Sequence, residues 1–325
     1  MAVSPLDVAA GRLATLLTAG GGGMSDPTGV GLEFESDVRL RPLARASAAP
    51  PDVWAVDGGQ AVVADARCVQ LLVVRAARAR FRGGECVLEE EGEFRAHLLG
   101  PGEMADARES LGLNLKTDTP VDANLLRDRW EWDAVERSVA EADPGALVLV
   151  DGDLQPDWRI PSAYVAELLA RAAERGITLV GVTKRSSLAR GGAPLLGQLE
   201  VEAQVGLGPR SMWWAPVART RPDLGYGLQV VAARLDPDSR FAFRVDLPAE
   251  ADPAGILGAL STLCDDAAFA GYPYPLTVAD RLASCPPGIR GDLWRQVGDC
   301  LDAAGVPLDV RERAFADRHD LMERA

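Results

Sequence analysis

The chain predicts a mixed α/β fold: a sheet with parallel members, flanked by helices and extended by a second β-rich stretch and a helical C-terminal region. Two apolar, β-rich runs each stop on an aspartate, Val53-Trp54-Ala55-Val56-Asp57-Gly58-Gly59 and Ala146-Leu147-Val148-Leu149-Val150-Asp151-Gly152-Asp153-Leu154. Between and after them helical and strand periodicities alternate, which implies crossover connections and hence parallel pairing.

Each element has a local reason. Pro5 to Ala19 carries an amphipathic pattern with Leu6, Leu13, Leu16 and Leu17, and the Gly20 to Gly23 run stops it. Residues 24–51, rich in Pro, Gly and Ala, read as a connector with little regular structure, so the chain divides into an N-terminal helix and connector (1–50) and a main domain (51–325). Val53–Val56, Ala61–Ala66 and Val69–Arg75 read as three short strands of a meander, and Gly83-Gly84 turns the chain into a hairpin from Glu85 to Phe94. Glu89-Glu90-Glu91 reads as a solvated turn or edge. Asp122 caps a helix from about Ala123 to Ala142, whose apolar side carries Leu125, Leu126, Trp130, Ala134, Val135 and Val139. Pro144-Gly145 ends it, and Ala146–Val150 follows as a strand. Pro161 starts the next helix, Gly176 stops it, and Ile177–Thr183 is again a strand. Three further strands are expected at Ser211–Val217, Gly227–Ala233 and Phe241–Leu247, and helices from Pro253 onward.

Composition narrows the function classes. The 325 residues carry 47% hydrophobic and 25% charged residues, as in a globular protein, and no apolar run approaches the length of a membrane span. No basic segment followed by a long apolar core marks a signal peptide, so a cytoplasmic location is expected. Five scattered cysteines without a C-x-x-C pair read as reduced thiols. Two histidines only, His97 and His319, leave little room for Ser-His-Asp, Cys-His or multi-histidine zinc chemistry. No G-x-x-x-x-G-K-[ST] pattern occurs. The net charge of −14 speaks against a general nucleic-acid coat but leaves a local channel open. The local basic candidates are Arg75, Arg78, Arg80 and Arg82, readable as a phosphate track or a solvated face, and Lys184 with Arg185 after a strand.

The chemistry must therefore run through carboxylates, lysine or a metal. Strand ends place Asp57 and Asp151 where backbone is fixed and solvent arrives, and Asp-Gly there is equally ordinary turn chemistry. Two such ends side by side suit Mg²⁺ or Mn²⁺, which take oxygen ligands. A meander beginning with an Asp-bearing strand, then a helix, then a strand ending in a second Asp, is the order of ribonuclease-H-like folds, where a Glu from the first helix completes the cluster. Glu131, in the N-terminal half of the helix, fits better than Glu136. Asp153 reads as an auxiliary ligand or a capping residue.

Five segments in order, Ala55-Val56-Asp57-Gly58-Gly59, Leu126-Arg127-x-x-x-Glu131, Leu149 to Leu154, Val180-Gly181-Val182-Thr183-Lys184-Arg185-Ser186 and Gly271-Tyr272-Pro273-Tyr274-Pro275-Leu276, resemble the NurA-type nucleases over about 230 residues. The resemblance implies a ribonuclease-H-like core and a DNA nuclease dependent on Mn²⁺ or Mg²⁺, with 5′–3′ exonuclease and single-strand endonuclease activity. It also implies a homodimer that works with a HerA-type hexameric ATPase in processing single- and double-stranded DNA ends during recombinational repair. By position it implies Asp57, Glu131 and Asp151 as metal ligands in a two-metal mechanism. Where the family commonly has Ala-His, this chain has Ala279-Asp280, so Asp280 stands as fourth ligand. Lys184 and Arg185 are candidate phosphate contacts. Tyr272 and Tyr274 are readable as base-stacking groups or as aromatics locked by their prolines. The departure at Asp280 motivates an alternative reading, a catalytically weak adaptor of the translocase ring. A third, an actin-like phosphotransferase, shares the Asp-Gly-Gly strand end but lacks a second phosphate-binding glycine pattern.

Overall fold

A computed structural model describes residues 4–18, 22–27, 31–155 and 157–316; His319 and part of the Gly20 to Gly23 run lie outside them. Helix α1 (Pro5–Thr18) is followed by three short strands, β1 (Met24–Ser25), β2 (Leu32–Phe34) and β3 (Arg41–Pro42); β2 and β3 pair with a strand of the main sheet, so the expected connector is partly built into it. Next come β4 (Asp52–Asp65), β5 (Gln70–Arg82), β6 (Glu85–Glu91), β7 (Arg95–Leu99), α2 (Met104–Ser110), α3 (Ala123–Glu141), β8 (Leu147–Asp151), α4 (Ser162–Glu174) and β9 (Thr178–Thr183). The second half holds β10 (Ala189–Arg190), β11 (Ala193–Pro194), α5 (Leu195–Gly206), β12 (Trp213–Thr220), β13 (Leu228–Arg234) and β14 (Phe243–Pro248). It closes with α6 (Pro253–Ser261), α7 (Tyr274–Ala283), α8 (Pro287–Ala303) and α9 (Leu308–Phe315).

Among the described residues eleven strands form one sheet, with the path β2-β12-β13-β14-β9-β8-β4-β5-β6, β3 pairing with β12 and β7 with β5. The central trio β9, β8 and β4 is parallel, and the strands on both sides join antiparallel. This is the expected mixed sheet flanked by helices.

Period-two alternation sorts the faces of the trio. Val53 and Ala55 of β4, Leu147 and Leu149 of β8, and Val180 and Val182 of β9 join one core with Leu257 and Leu260 of α6 and Leu276 and Leu282 of α7. Trp54 and Val56, Val148 and Val150, and Leu179 join the other, with Leu125, Leu126 and Val135 of α3 and Leu168 of α4. A third cluster sets Leu195 and Leu199 of α5 against β12 and β13. The 3.6-residue pattern of α3 is anchored by Asp122, whose carboxylate accepts the Leu125 amide at 2.9 Å and satisfies a helix-end donor.

Two expectations need correction. The predicted strands Val53–Val56 and Ala61–Ala66 are one strand that runs through Gly58-Gly59, because β5 pairs with it from Asp52↔Arg82 to Asp65↔Gln70 and tertiary pairing overrides local turn chemistry. Arg75, Arg78, Arg80 and Arg82 form neither a solvated face nor a phosphate track. Arg75 pairs with Glu91, Arg78 with Glu90 and Glu141, Arg80 with Asp52 and Asp143, and Arg82 with Asp143. Glu89 to Glu91 lie on β6, the edge strand of the sheet, as the edge alternative had it, and are ion-paired there rather than free in solvent. Helix α5 carried no helical expectation, since Gly197 and Gly206 and the exposed Val201 and Val205 blur its apolar face.

Two glycines let helices touch β4. A β-carbon at Gly58 would lie 2.8 Å from Glu131 Oε2, and one at Gly59 only 1.9 Å from the Ala283 carbonyl oxygen at the end of α7. Alternation sends Gly58 toward α3 and Gly59 toward α7. Because the second neighbour is backbone, Gly59→Ala must displace α7, and we expect it to cost about 1–3 kcal/mol. Thermal denaturation checks this; an unchanged midpoint would contradict the close contact.

Candidate metal centre

The parallel pairing of β4 with β8 runs from Val53↔Leu147 to Val56↔Val150 and then ends. Asp57 and Asp151 are the next residues on each strand, on the face that carries α7. β4 continues beyond Asp57 with β5 as its ladder partner, so Asp57 marks the end of the parallel sheet rather than of its strand. Lys184 lies two residues past Val182, which pairs with Asp151, and the same alternation turns it toward the same face.

Helix α7 brings the fourth group. The Tyr274 amide donates to the Leu263 carbonyl at 2.8 Å and the Gly271 amide to Cys264 at 2.7 Å, fixing the helix start. Leu276, Val278, Ala279, Leu282 and Ala283 are buried. Arg75, itself buried, clamps the far end: its Nε donates to the Ala283 carbonyl at 3.1 Å and its Nη2 to that of Ser284 at 2.6 Å. Asp280 is thereby held over the strand ends.

Oxygens of Asp57, Asp151 and Asp280 all lie within 4.8 Å of one another. Among the described residues no other set of three or more His, Cys, Asp or Glu side chains converges in this way. Lys184 Nζ donates to Asp151 Oδ2 at 2.6 Å and to Asp280 Oδ1 at 2.8 Å, and sits 4.9 Å from the centre of the Tyr272 ring. The Gly58 amide donates to Asp57 Oδ1 at 2.7 Å.

Burial and the neighbouring carboxylates Asp151 and Asp280 push Asp57 up to about 8, against the pull of Lys184. Burial also raises Asp151, although Lys184 opposes it. For Lys184 burial works against the charge, but the two aspartates outweigh it and raise its pKa. An all-oxygen set that is half-buried at Asp57 and Asp151, open to solvent at Asp280, and in which Asp57 and Asp151 resist ionisation without a compensating cation suits a hard divalent ion such as Mg²⁺ or Mn²⁺, so the residues fit one.

Glu131 is close but not in the triad. It is buried against Gly58 on the α3 face of β4, opposite the face that bears Asp57. Burial, then Asp57 and Asp128, raise its pKa well above the usual carboxylate range, while Arg127 lowers it. Glu136 lies elsewhere, paired with Arg171 at 2.6 Å and accepting from the Tyr164 hydroxyl at 3.2 Å.

Tyr272 is locked, as its flanking prolines suggested: it is buried against Phe243 and Phe269. Its hydroxyl makes no hydrogen bond of acceptable geometry. Burial and the nearby Asp151 carboxylate push its pKa well up and keep it protonated. Tyr274 is partly exposed and meets Phe81 edge-on at 5.9 Å, outside the cluster. Arg185 is exposed and joins no ion pair among the described residues. Asp153 neither joins the cluster nor caps a helix. It pairs with the buried Arg244 at 3.3 Å and accepts from the Gln155 amide at 3.2 Å, and burial raises it to about 7.

Arg75 stood among the basic candidates of the sequence but not as a clamp on α7, and Arg244 did not stand out at all. Arg244 donates to Asp246, which in turn accepts the Leu154 amide at 3.2 Å, so it fixes the loop that follows Asp151. Neither role has a local sequence signal.

No protein-family model matches the chain, and no curated protein does. Among solved structures, the NurA nuclease from Sulfolobus solfataricus superposes with a TM-score of 0.58 at 16% identity, over 82% of this chain and 88% of that one. This chain has the NurA fold. A NurA structure with manganese follows at TM-score 0.49 and 10% identity, over 81% and 91% of the two chains, and human ENDOV at 0.40 and 15%, over 79% and 93%.

A pH dependence follows from Asp57. In metal-free protein its raised pKa keeps the proton on the folded state after the unfolded chain has lost it, so stability is lost as pH rises from about 4 to about 8. In EDTA, the melting-temperature advantage of Asp57→Asn over wild type should therefore grow between pH 4 and 8. A constant difference across that window would contradict the shift.

Proposed function

We propose that this chain is a metal-dependent DNA nuclease that hydrolyses phosphodiester bonds. The observation that carries the reading is the convergence of Asp57, Asp151 and Asp280 within 4.8 Å, with Lys184 between the latter two. The NurA fold of the chain supports it.

In this reading Asp57, Asp151 and Asp280 hold a divalent cation, Mn²⁺ or Mg²⁺, and Glu131 reaches the same strand end from across Gly58. The cation supplies Lewis-acid polarisation and water activation, and two such ions would serve attacking and leaving oxygens in turn. The chain's own groups do the rest. Lys184, a compact point charge on a strand end, is placed to meet a non-bridging phosphate oxygen once the carboxylates engage the cation. Tyr272, kept protonated beside Asp151, would offer its hydroxyl as a donor to an incoming anionic oxygen. Gly58 fixes the rotamer of Asp57 through its amide.

The finer proposals follow the resemblance: 5′–3′ exonuclease and single-strand endonuclease activity on DNA ends, a homodimeric state, and work beside a HerA-type hexameric ATPase in end resection. The apolar residues Leu6, Leu13, Leu16 and Leu17 of α1 are exposed and offer themselves as a contact for a partner or a second copy.

End-labelled single- and double-stranded DNA incubated with Mn²⁺, Mg²⁺ or EDTA tests the reading. Wild type should cleave only with metal. Asp57→Ala should fall to background while remaining folded, because it relieves crowding in the cluster; Asp151→Asn, which keeps an acceptor for Lys184, should do the same, and Lys184→Ala should lower kcat on the order of 100-fold. Absence of metal-dependent cleavage with the ATPase present and absent would reject it in favour of an adaptor role.

A further inference from the structure

The α3 side of the site carries two features the reaction has not absorbed. Arg127 lies one helical turn before Glu131, with its Cγ 3.0 Å from where a Gly58 β-carbon would stand. Its guanidinium faces Glu131, Asp128 and Asp57, which together outweigh burial and raise its pKa. It donates from Nη2 to Asp128 Oδ1 at 2.9 Å, while its Nε is buried without a hydrogen-bond partner. The other oxygen of Asp128 accepts the Asp157 amide at 3.3 Å. One carboxylate thus ties the arginine beside the site to the loop that follows Asp151.

The next residue of that loop, Trp158, is 78% exposed. The centre of its ring lies 5.8 Å from the Arg159 guanidinium carbon and the ring otherwise faces solvent, leaving a π-face open to a ligand. The backbone beneath it is braced by hydrogen bonds. Arg159, buried, donates to both oxygens of Asp157, to both oxygens of Asp122 and to the Pro120 carbonyl, all within 3.0 Å. The Ile160 amide closes the turn on the Asp157 carbonyl at 2.8 Å. Trp158 is therefore presented on a fixed support, without the loop-ordering cost that a mobile side chain would incur on binding.

We infer that Arg127 and Trp158 form a substrate-strand subsite on the α3 side of the strand ends, Arg127 taking a backbone phosphate and Trp158 stacking on an unpaired base. Single-stranded DNA is the occupant that matches both chemistries at once, since it alternates an anionic phosphate with an exposed π-face at short spacing. A protein partner would use the ring but gives no reason for a cation joined to it through Asp128. The inference rests on the nuclease reading and extends it: the strand crosses the site from Lys184 toward Trp158 and is read as single-stranded there.

Two measurements test it and separate its failure from that of the nuclease reading. First, oligodeoxythymidine is titrated into metal-free full-length protein, and Trp158 emission is taken as the difference between wild type and Trp158→Phe. Quenching of that component is expected, and its absence would overturn the subsite whether or not the protein cleaves DNA. Second, steady-state cleavage of single-stranded DNA in Mn²⁺ compares variants. Trp158→Ala should raise KM about 5- to 150-fold with kcat nearly unchanged, and Trp158→Phe, which keeps a π-face, should recover most of the loss. Arg127→Ala should raise KM and make the salt dependence shallower by about one counterion, whereas Arg127→Lys should restore that slope. Wild-type KM in Trp158→Ala would overturn the inference while leaving the nuclease standing. Quenching by DNA in a protein that never cleaves would uphold the subsite and sink the nuclease.

Discussion

The ion-paired triangle of Asp151, Lys184 and Asp280 is the contact on which the end of the sheet depends, because it joins β8, β9 and α7 at one point. Asp57 enters the same space from β4, and three carboxylates so close would repel one another strongly if all were ionised. Lys184 answers part of that repulsion and protonation of Asp57 answers more. The balance leaves a crowded acidic site whose repulsion a divalent cation would relieve, as the proposed function requires.

The surroundings hold this arrangement still. Arg75 fixes the end of α7 through the carbonyls of Ala283 and Ser284, Gly59 lets that end rest on β4, and Gly58 admits Glu131 from the other side. Arg244 and Asp246 pin the loop after Asp151 from below. None of these residues belongs to the cluster, yet each removes a degree of freedom from one of its members. Preorganised oxygens lose little on binding a cation, which is how a rigid scaffold converts geometry into affinity.

Much of this was legible in the chain. Val53 to Val56 and Ala146 to Val150 are apolar on both faces, and only a strand covered on both sides has that pattern; the aspartates that follow mark where cover ends. Asp122 and Gly176 bounded their helices by ordinary capping chemistry. What was not legible is non-local. Asp57-Gly58-Gly59 looks like a turn until β5 is known to pair along its whole length. Arg78 looks solvated until Glu90 and Glu141 arrive from other elements. Lys184 and Asp280 are separated by 96 positions, and no spacing rule couples them. The contrast between Glu131 and the triad is similarly hidden, since it depends on which face of β4 each helix covers.

The central claim is that Asp57, Asp151 and Asp280 hold a divalent cation. Anomalous diffraction at the manganese edge, from crystals of the full chain grown with Mn²⁺, tests it most directly. A strong peak is expected within coordination distance of Asp57 and Asp151, with Asp280 as a further ligand, and is expected to be lost in Asp57→Asn. Well-ordered crystals with no peak there, or with manganese bound only elsewhere, would contradict it.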